Sequence, residues 1–138
     1  MKQLSVFVEN KPGILLRITD IFEKNNINLS AITIAETQDF GIARMIVDKI
    51  NDAETLLKSQ GFSCTQTDIV AVEVPDKPGG LSDILRLFDA EKINIEYMYG
   101  FQERQNDCAI MVFRIKESDA AKAVLQKNGI HIFSKKTI

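Results

Sequence analysis

Apolar residues along this chain fall into two rhythms, and the whole series runs twice. Leu4-Ser5-Val6-Phe7-Val8 reads as a short strand. Asn10-Lys11-Pro12-Gly13 follows as a turn, because proline presets φ and glycine accepts backbone angles that other residues resist. The spacing then lengthens. Leu15, Ile18 and Phe22 share one stripe, with Ile14 and Ile21 beside it and Arg17, Asp20 and Lys24 opposite, which predicts an amphipathic helix ended by Asn25-Asn26. A strand is expected from Ile27 or Asn28 to about Glu36, a turn through Gly41, and a second strand from Ile42 to Asp48. Asn51-Asp52 predicts the cap of a helix reaching Gln60, with Leu56 and Leu57 inward, Gly61 as its stop, and a last strand from Phe62 to Thr67.

The second pass keeps this order. Ile69 to Val74 predicts a strand, and Gly80 to Glu91 a helix with Leu81, Ile84, Leu85 and Phe88 inward. Residues 94–102 and 108–116 predict a hairpin. Ser118-Asp119 predicts the cap of a helix to Lys127, stopped by Asn128-Gly129, and Ile130 to Ser134 the final strand. The passes are related by a fixed offset, 78 − 12 = 66, at which Lys11-Pro12-Gly13 meets Lys77-Pro78-Gly79 and Ile27-Asn28 meets Ile93-Asn94. Ala43 and Met45 also meet Ala109 and Met111 at that offset, whereas Gly61 meets Gly129 at 129 − 61 = 68, which assigns two extra residues to the second helix or its cap. Such a repeat is too long for a solenoid unit and reads as one small module duplicated.

Each module is thus β-α-β-β-α-β. The expected class is α+β: two ferredoxin-like modules in tandem, residues 1–68 and 69–138, each an antiparallel sheet with both helices on one face. With only Thr67-Asp68 between them, a continuous eight-stranded sheet or two facing sheets are the expected outcomes. Each half alone would bury a marginal core.

Composition narrows the function. The chain of 138 residues is 45% hydrophobic with eight Phe, enough for a globular core, and its net charge of −2 argues against a nucleic-acid partner. Lys135-Lys136, the nearest approach to a basic run, reads as a solvated tail. No signal peptide or membrane-length apolar stretch is visible, and Cys64 and Cys108 form no C-x-x-C, so a cytoplasmic protein with reduced thiols is expected. Tyr97, Tyr99 and Phe101 alternate as an RNA-stacking strand would, but Ala31, Thr33 and Ala35 hold the matching positions, and a module–module contact is the favoured role. His131, the one histidine, is expected to be a packed or exposed strand residue, and Met98 and Met111 to fill core gaps. No acid–base pair at recognisable spacing, cofactor motif or metal-ligand cluster suggests an enzyme.

Val-Glu-Asn-Lys-Pro-Gly-Ile-Leu with Asn-Asn-Ile-Asn-Leu, and Val-Pro-Asp-Lys-Pro-Gly-Gly-Leu with Glu-Lys-Ile-Asn-Ile, resemble the ACT domain, a small regulatory module that binds amino acids. The likeness covers the whole chain as two copies. It implies a non-catalytic sensor binding an amino acid at the interface between its modules, in an arrangement where the loop Asn and the Asn after the helix come from opposite modules. Carried over, one pocket joins Asn10, Lys11, Pro12, Gly13, Ile14 and Leu15 to Asn94. The other joins Asp76, Pro78, Gly79, Gly80 and Leu81 to Asn28. The N–H groups at each helix start suit a carboxylate. The Asn10 pocket ranks first, since Asp76 adds a negative charge; Gly80 in place of Ile14 is expected to make the second pocket roomier. The alternative is a ligand-free scaffold that associates with other proteins. A homodimer and an unidentified regulated partner are compatible with either, and no membrane or nucleic acid is implied.

Overall fold

The computed structural model describes residues 1–105 and 107–134. Lys135-Lys136 therefore lies outside the described residues. The first module runs β1 (Lys2–Glu9), α1 (Ile14–Lys24), β2 (Leu29–Glu36), β3 (Phe40–Val47), α2 (Ile50–Ser59) and β4 (Ser63–Asp68). The second runs β5 (Val70–Pro75), α3 (Gly80–Ala90), β6 (Tyr97–Gln105), β7 (Cys108–Arg114), α4 (Ser118–Lys127) and β8 (Ile132–Phe133). The strands make two four-stranded sheets, ordered β2-β3-β1-β4 and β6-β7-β5-β8. Among the described residues these are two separate hydrogen-bonded sheets rather than one of eight strands. Ile69 alone separates β4 from β5 and is buried, so the joint is shorter than the Thr67-Asp68 link expected.

Each core follows from the period of its elements. Alternate residues of β1 (Leu4, Val6, Val8) and β3 (Ala43, Met45, Val47) turn to the helix side, where Ile18 and Phe22 of α1 and Leu57 of α2 cover them. In the second module Val70, Val72 and Val74 meet Ile84 and Phe88 of α3 and Leu125 of α4, and the Phe88 and Phe113 rings pack edge to face at 5.7 Å. Met98 and Met111 lie against this core as expected.

Helix ends depart from expectation more than helix bodies. Lys49, in the left-handed region at φ 47°, precedes α2, so Asn51 and Asp52 fall inside its first turn; Glu117 likewise precedes α4. The C-terminal glycines behave as read, Gly61 at φ 89° and Gly129 at φ 71°, since a residue that turns the chain out of a helix meets no Cβ clash when it is glycine.

The register relocates the two extra residues. Leu4 faces Met45 and Val6 faces Ala43, while Val70 faces Phe113 and Val72 faces Met111. The first strands are thus offset by 70 − 4 = 66 but their partners by 113 − 45 = 68. Ile32 faces Met45 and Met98 faces Phe113, so β2 and β6 remain at 98 − 32 = 66. The insertion therefore lies in the second hairpin, where the ladder slips between Gly100 and Arg104, and not in α4 or its cap. The Ala43–Ala109 and Met45–Met111 identities do not mark equivalent positions.

Candidate functional site

The loop between β1 and α1 opens a cleft of about 420 Å³ in the first module. Its floor is the left-handed Gly13 (φ 87°), which reverses the chain into α1 without a side-chain cap. Among the described residues the N–H groups of Gly13, Ile14 and Leu15 meet no carbonyl, so the helix start presents unpaired donors and the positive end of its dipole. Asn10, Lys11 and Pro12 form one side. Val8, Ile14, Leu15, Leu16 and Ile34 give apolar walls, of which Leu16 (64% exposed) and Ile34 (43%) are open to solvent. Glu9, Glu36 and Gly41 complete the rim.

Asn10 has structural work of its own. Its backbone N–H donates to the Asp39 carbonyl at 2.8 Å, and its side-chain Nδ2 donates to the Gln38 carbonyl at 3.3 Å. The loop is thereby clipped to the tip of the β2–β3 hairpin. Lys11 pairs with Glu9 at 3.4 Å, both largely exposed, a contact worth little in stability. Of the expected first-pocket residues, the structure brings Asn10, Lys11, Pro12, Gly13, Ile14 and Leu15 together around one cleft. The sequence reading left out Val8, Glu9, Leu16, Ile34, Glu36 and Gly41. Ile34 and Glu36 alternate on β2 on the side that faces this loop, a period-two signal visible only once the hairpin register is known.

Asn28 sits at the other end of α1. An 11-residue helix is about 16 Å long, which separates it from Asn10 within the module. Asp48 holds its backbone on both sides: the Asn28 N–H donates to Asp48 Oδ1 at 2.8 Å, and the Asp48 N–H donates to the Asn28 carbonyl at 3.1 Å. Its exposed side chain makes no hydrogen bond among the described residues. Asn94 is likewise exposed and lies three residues before β6 rather than at its start.

The second module repeats the loop but closes it. The Asp76 N–H donates to the Asp107 carbonyl at 3.3 Å, matching the Asn10 clip, and Gly79 takes φ 85°. Three features then differ. Gly80 is buried, and a Cβ placed on it would lie 2.0 Å from the Pro75 carbonyl oxygen. The glycine thus lets backbone press on backbone, and does not make the site roomier as expected. Its N–H is also taken, donating to the Lys77 carbonyl at 3.0 Å. Finally, the Asp76 carboxylate forms an ion pair with Arg104 of β6, so its charge is countered. The Leu81 side chain packs in part against the module's core, while its N–H and that of Gly79 meet no carbonyl among the described residues.

Other candidates resolve simply. Phe101 packs edge to face on Phe133 of its own module, with centroids 5.5 Å apart. His131 lies just before β8, exposed, 4.0 Å from Glu73. Cys64 and Cys108 are free thiols, and burial pushes the Cys64 thiol up. No helix among the described residues is long and apolar enough to cross a membrane.

Known proteins resemble this chain along its length. Protein BT0572 from Bacteroides thetaiotaomicron is 41% identical, covers 96% of this chain and 90% of its own, and superposes with a TM-score of 0.89. The ligand-free regulatory subunit of aspartate kinase from Thermus thermophilus has a TM-score of 0.67 over 91% of each chain; at 16% identity, that likeness concerns the fold. A probable acetolactate synthase small subunit from Archaeoglobus fulgidus is 24% identical over 110 residues, 67% of this chain and 69% of its own. The match to the acetolactate synthase small subunit of Haemophilus influenzae is 36% identical over 53 residues and spans 32% of that relative's length. The ACT domain pair family matches residues 1–138, and with that match over a duplicated β-α-β-β-α-β fold, the chain belongs to the ACT domain pair family.

Proposed function

We propose that this protein is a non-catalytic sensor that binds a small amino acid at the start of α1 and relays occupancy to a partner protein. The observation that carries the reading is the cleft of about 420 Å³, a volume typical of small-ligand sites, in which unpaired helix N–H groups stand beside an apolar wall. The donors suit a carboxylate, the rim oxygens of Asn10 and Glu36 suit an ammonium, and the wall suits a compact apolar side chain. The likeness to proteins named as small or regulatory subunits supports a partner that carries the catalysis. A bound ligand acts on that partner only so far as it favours one arrangement of the protein over another.

A scaffold role is the second reading. Phe7 (52% exposed) and Phe40 (46%) stack at 5.4 Å on the surface of the first module, a pair suited to docking. A thermal-shift screen against the twenty amino acids separates the two. Stabilisation by one or two of them, weakened in Asn10→Ala relative to that variant's own baseline, supports the sensor. No shift at millimolar concentration with any amino acid supports the scaffold.

A further inference from the structure

We propose that the chain takes one amino acid, at the loop of the first module, where Glu36 receives the ligand's ammonium, while the equivalent loop is closed by the packing of Gly80, with Arg104 countering the Asp76 charge beside it. The inference rests on the sensor reading and deepens it. The corrected register makes the exchange visible. Glu36 faces Gly41 and Arg104 faces Ala109, and 109 − 41 = 68 is the offset of β3 and β7, so the two side chains hold matching places beside the two loops. Glu36 lines the open cleft and, among the described residues, makes no ion pair. Arg104 instead reaches across to Asp76.

The closure does not rest on that pair. A ligand carboxylate at α3 would need the Gly80 N–H, which Lys77 already accepts, and would need to part Gly80 from Pro75, where even a Cβ has no room. In the first module the residue at that place is Ile14, whose N–H has no carbonyl partner. The two loops therefore offer a zwitterion opposite receptions. One presents three donors and a free carboxylate, and the other has spent the middle one of its three donors and holds a satisfied ion pair.

Calorimetry on the full chain tests this, using whichever of the twenty amino acids stabilise it in the thermal-shift screen. One equivalent per chain is expected. Glu36→Gln, an exposed and nearly isosteric change, should weaken binding about tenfold, the loss expected for one charge-assisted hydrogen bond. Arg104→Gln should leave affinity unchanged. Two equivalents per chain, unaltered affinity in Glu36→Gln, or an equal loss in Arg104→Gln would each overturn the inference and leave the sensor reading standing. Failure of all twenty to bind would overturn both.

Discussion

The two strand-to-helix loops share a backbone and differ in what they leave unsatisfied. Gly13 and Gly79 adopt the same left-handed cap, at φ 87° and 85°, and Asn10 and Asp76 donate their N–H groups to the same hairpin position, Asp39 and Asp107. Around that common turn the first loop keeps its helix donors unpaired beside an apolar cleft, and the second spends a donor and closes on itself. The lesson concerns duplicated sequence. A repeated Lys-Pro-Gly preserves a turn, but the residue after it and the strand opposite decide whether the turn borders an open cleft.

The strongest way to break the comparison is through the cores. Phe22→Ala and Phe88→Ala each remove a buried ring, at 2% and 1% exposure, and each should cost about 3–5 kcal/mol in urea unfolding. A loss below 1 kcal/mol for either would deny that the modules have equivalent cores. Gly80→Ala comes next. Its Cβ would crowd Pro75, so a destabilisation of about 1–3 kcal/mol is expected from overpacking, whereas Ile14→Ala at the matching place trims a half-buried side chain and should cost less. Gly13→Ala and Gly79→Ala should be nearly equal at about 1–2 kcal/mol, because both force a side chain into the left-handed region with open space around it. Unequal costs would show that the shared turn is not shared energetically. The smallest effect is expected from Arg104→Gln, at most about 1 kcal/mol and shrinking with added salt, since both partners of the pair are more than half exposed.

Much of the fold was legible because hydrophobic period survives duplication. The stripe of Ile18 and Phe22 recurs as Ile84 and Phe88, and both become the buried face of a helix. The hairpin insertion was misread for a physical reason. Two residues added to a strand keep the side-chain alternation in phase, so Ala43 and Met45 could meet identical residues at the wrong offset without disturbing the inward pattern. The caps of α2 and α4 were misread because Asn51, Asp52, Ser118 and Asp119 are as acceptable in a first helical turn as before it, and the left-handed Lys49 carries no sequence signal. At the site, Asn10 and Gly13 to Leu15 were found from the turn motif. Ile34 and Glu36 were not, because they come from a strand brought alongside by pairing, which no local pattern announces. The closure at Gly80 was hidden by the same limit: glycine can mean vacancy or intimate contact, and only coordinates distinguish them.

The pressing of Gly80 on Pro75 also limits how this molecule could change. No single substitution at position 80 can furnish the later loop with a side chain until the preceding strand end is displaced. Opening a matching cleft there would mean rebuilding the strand end and the helix start together, whereas reshaping the earlier cleft asks only for exchanges at its rim.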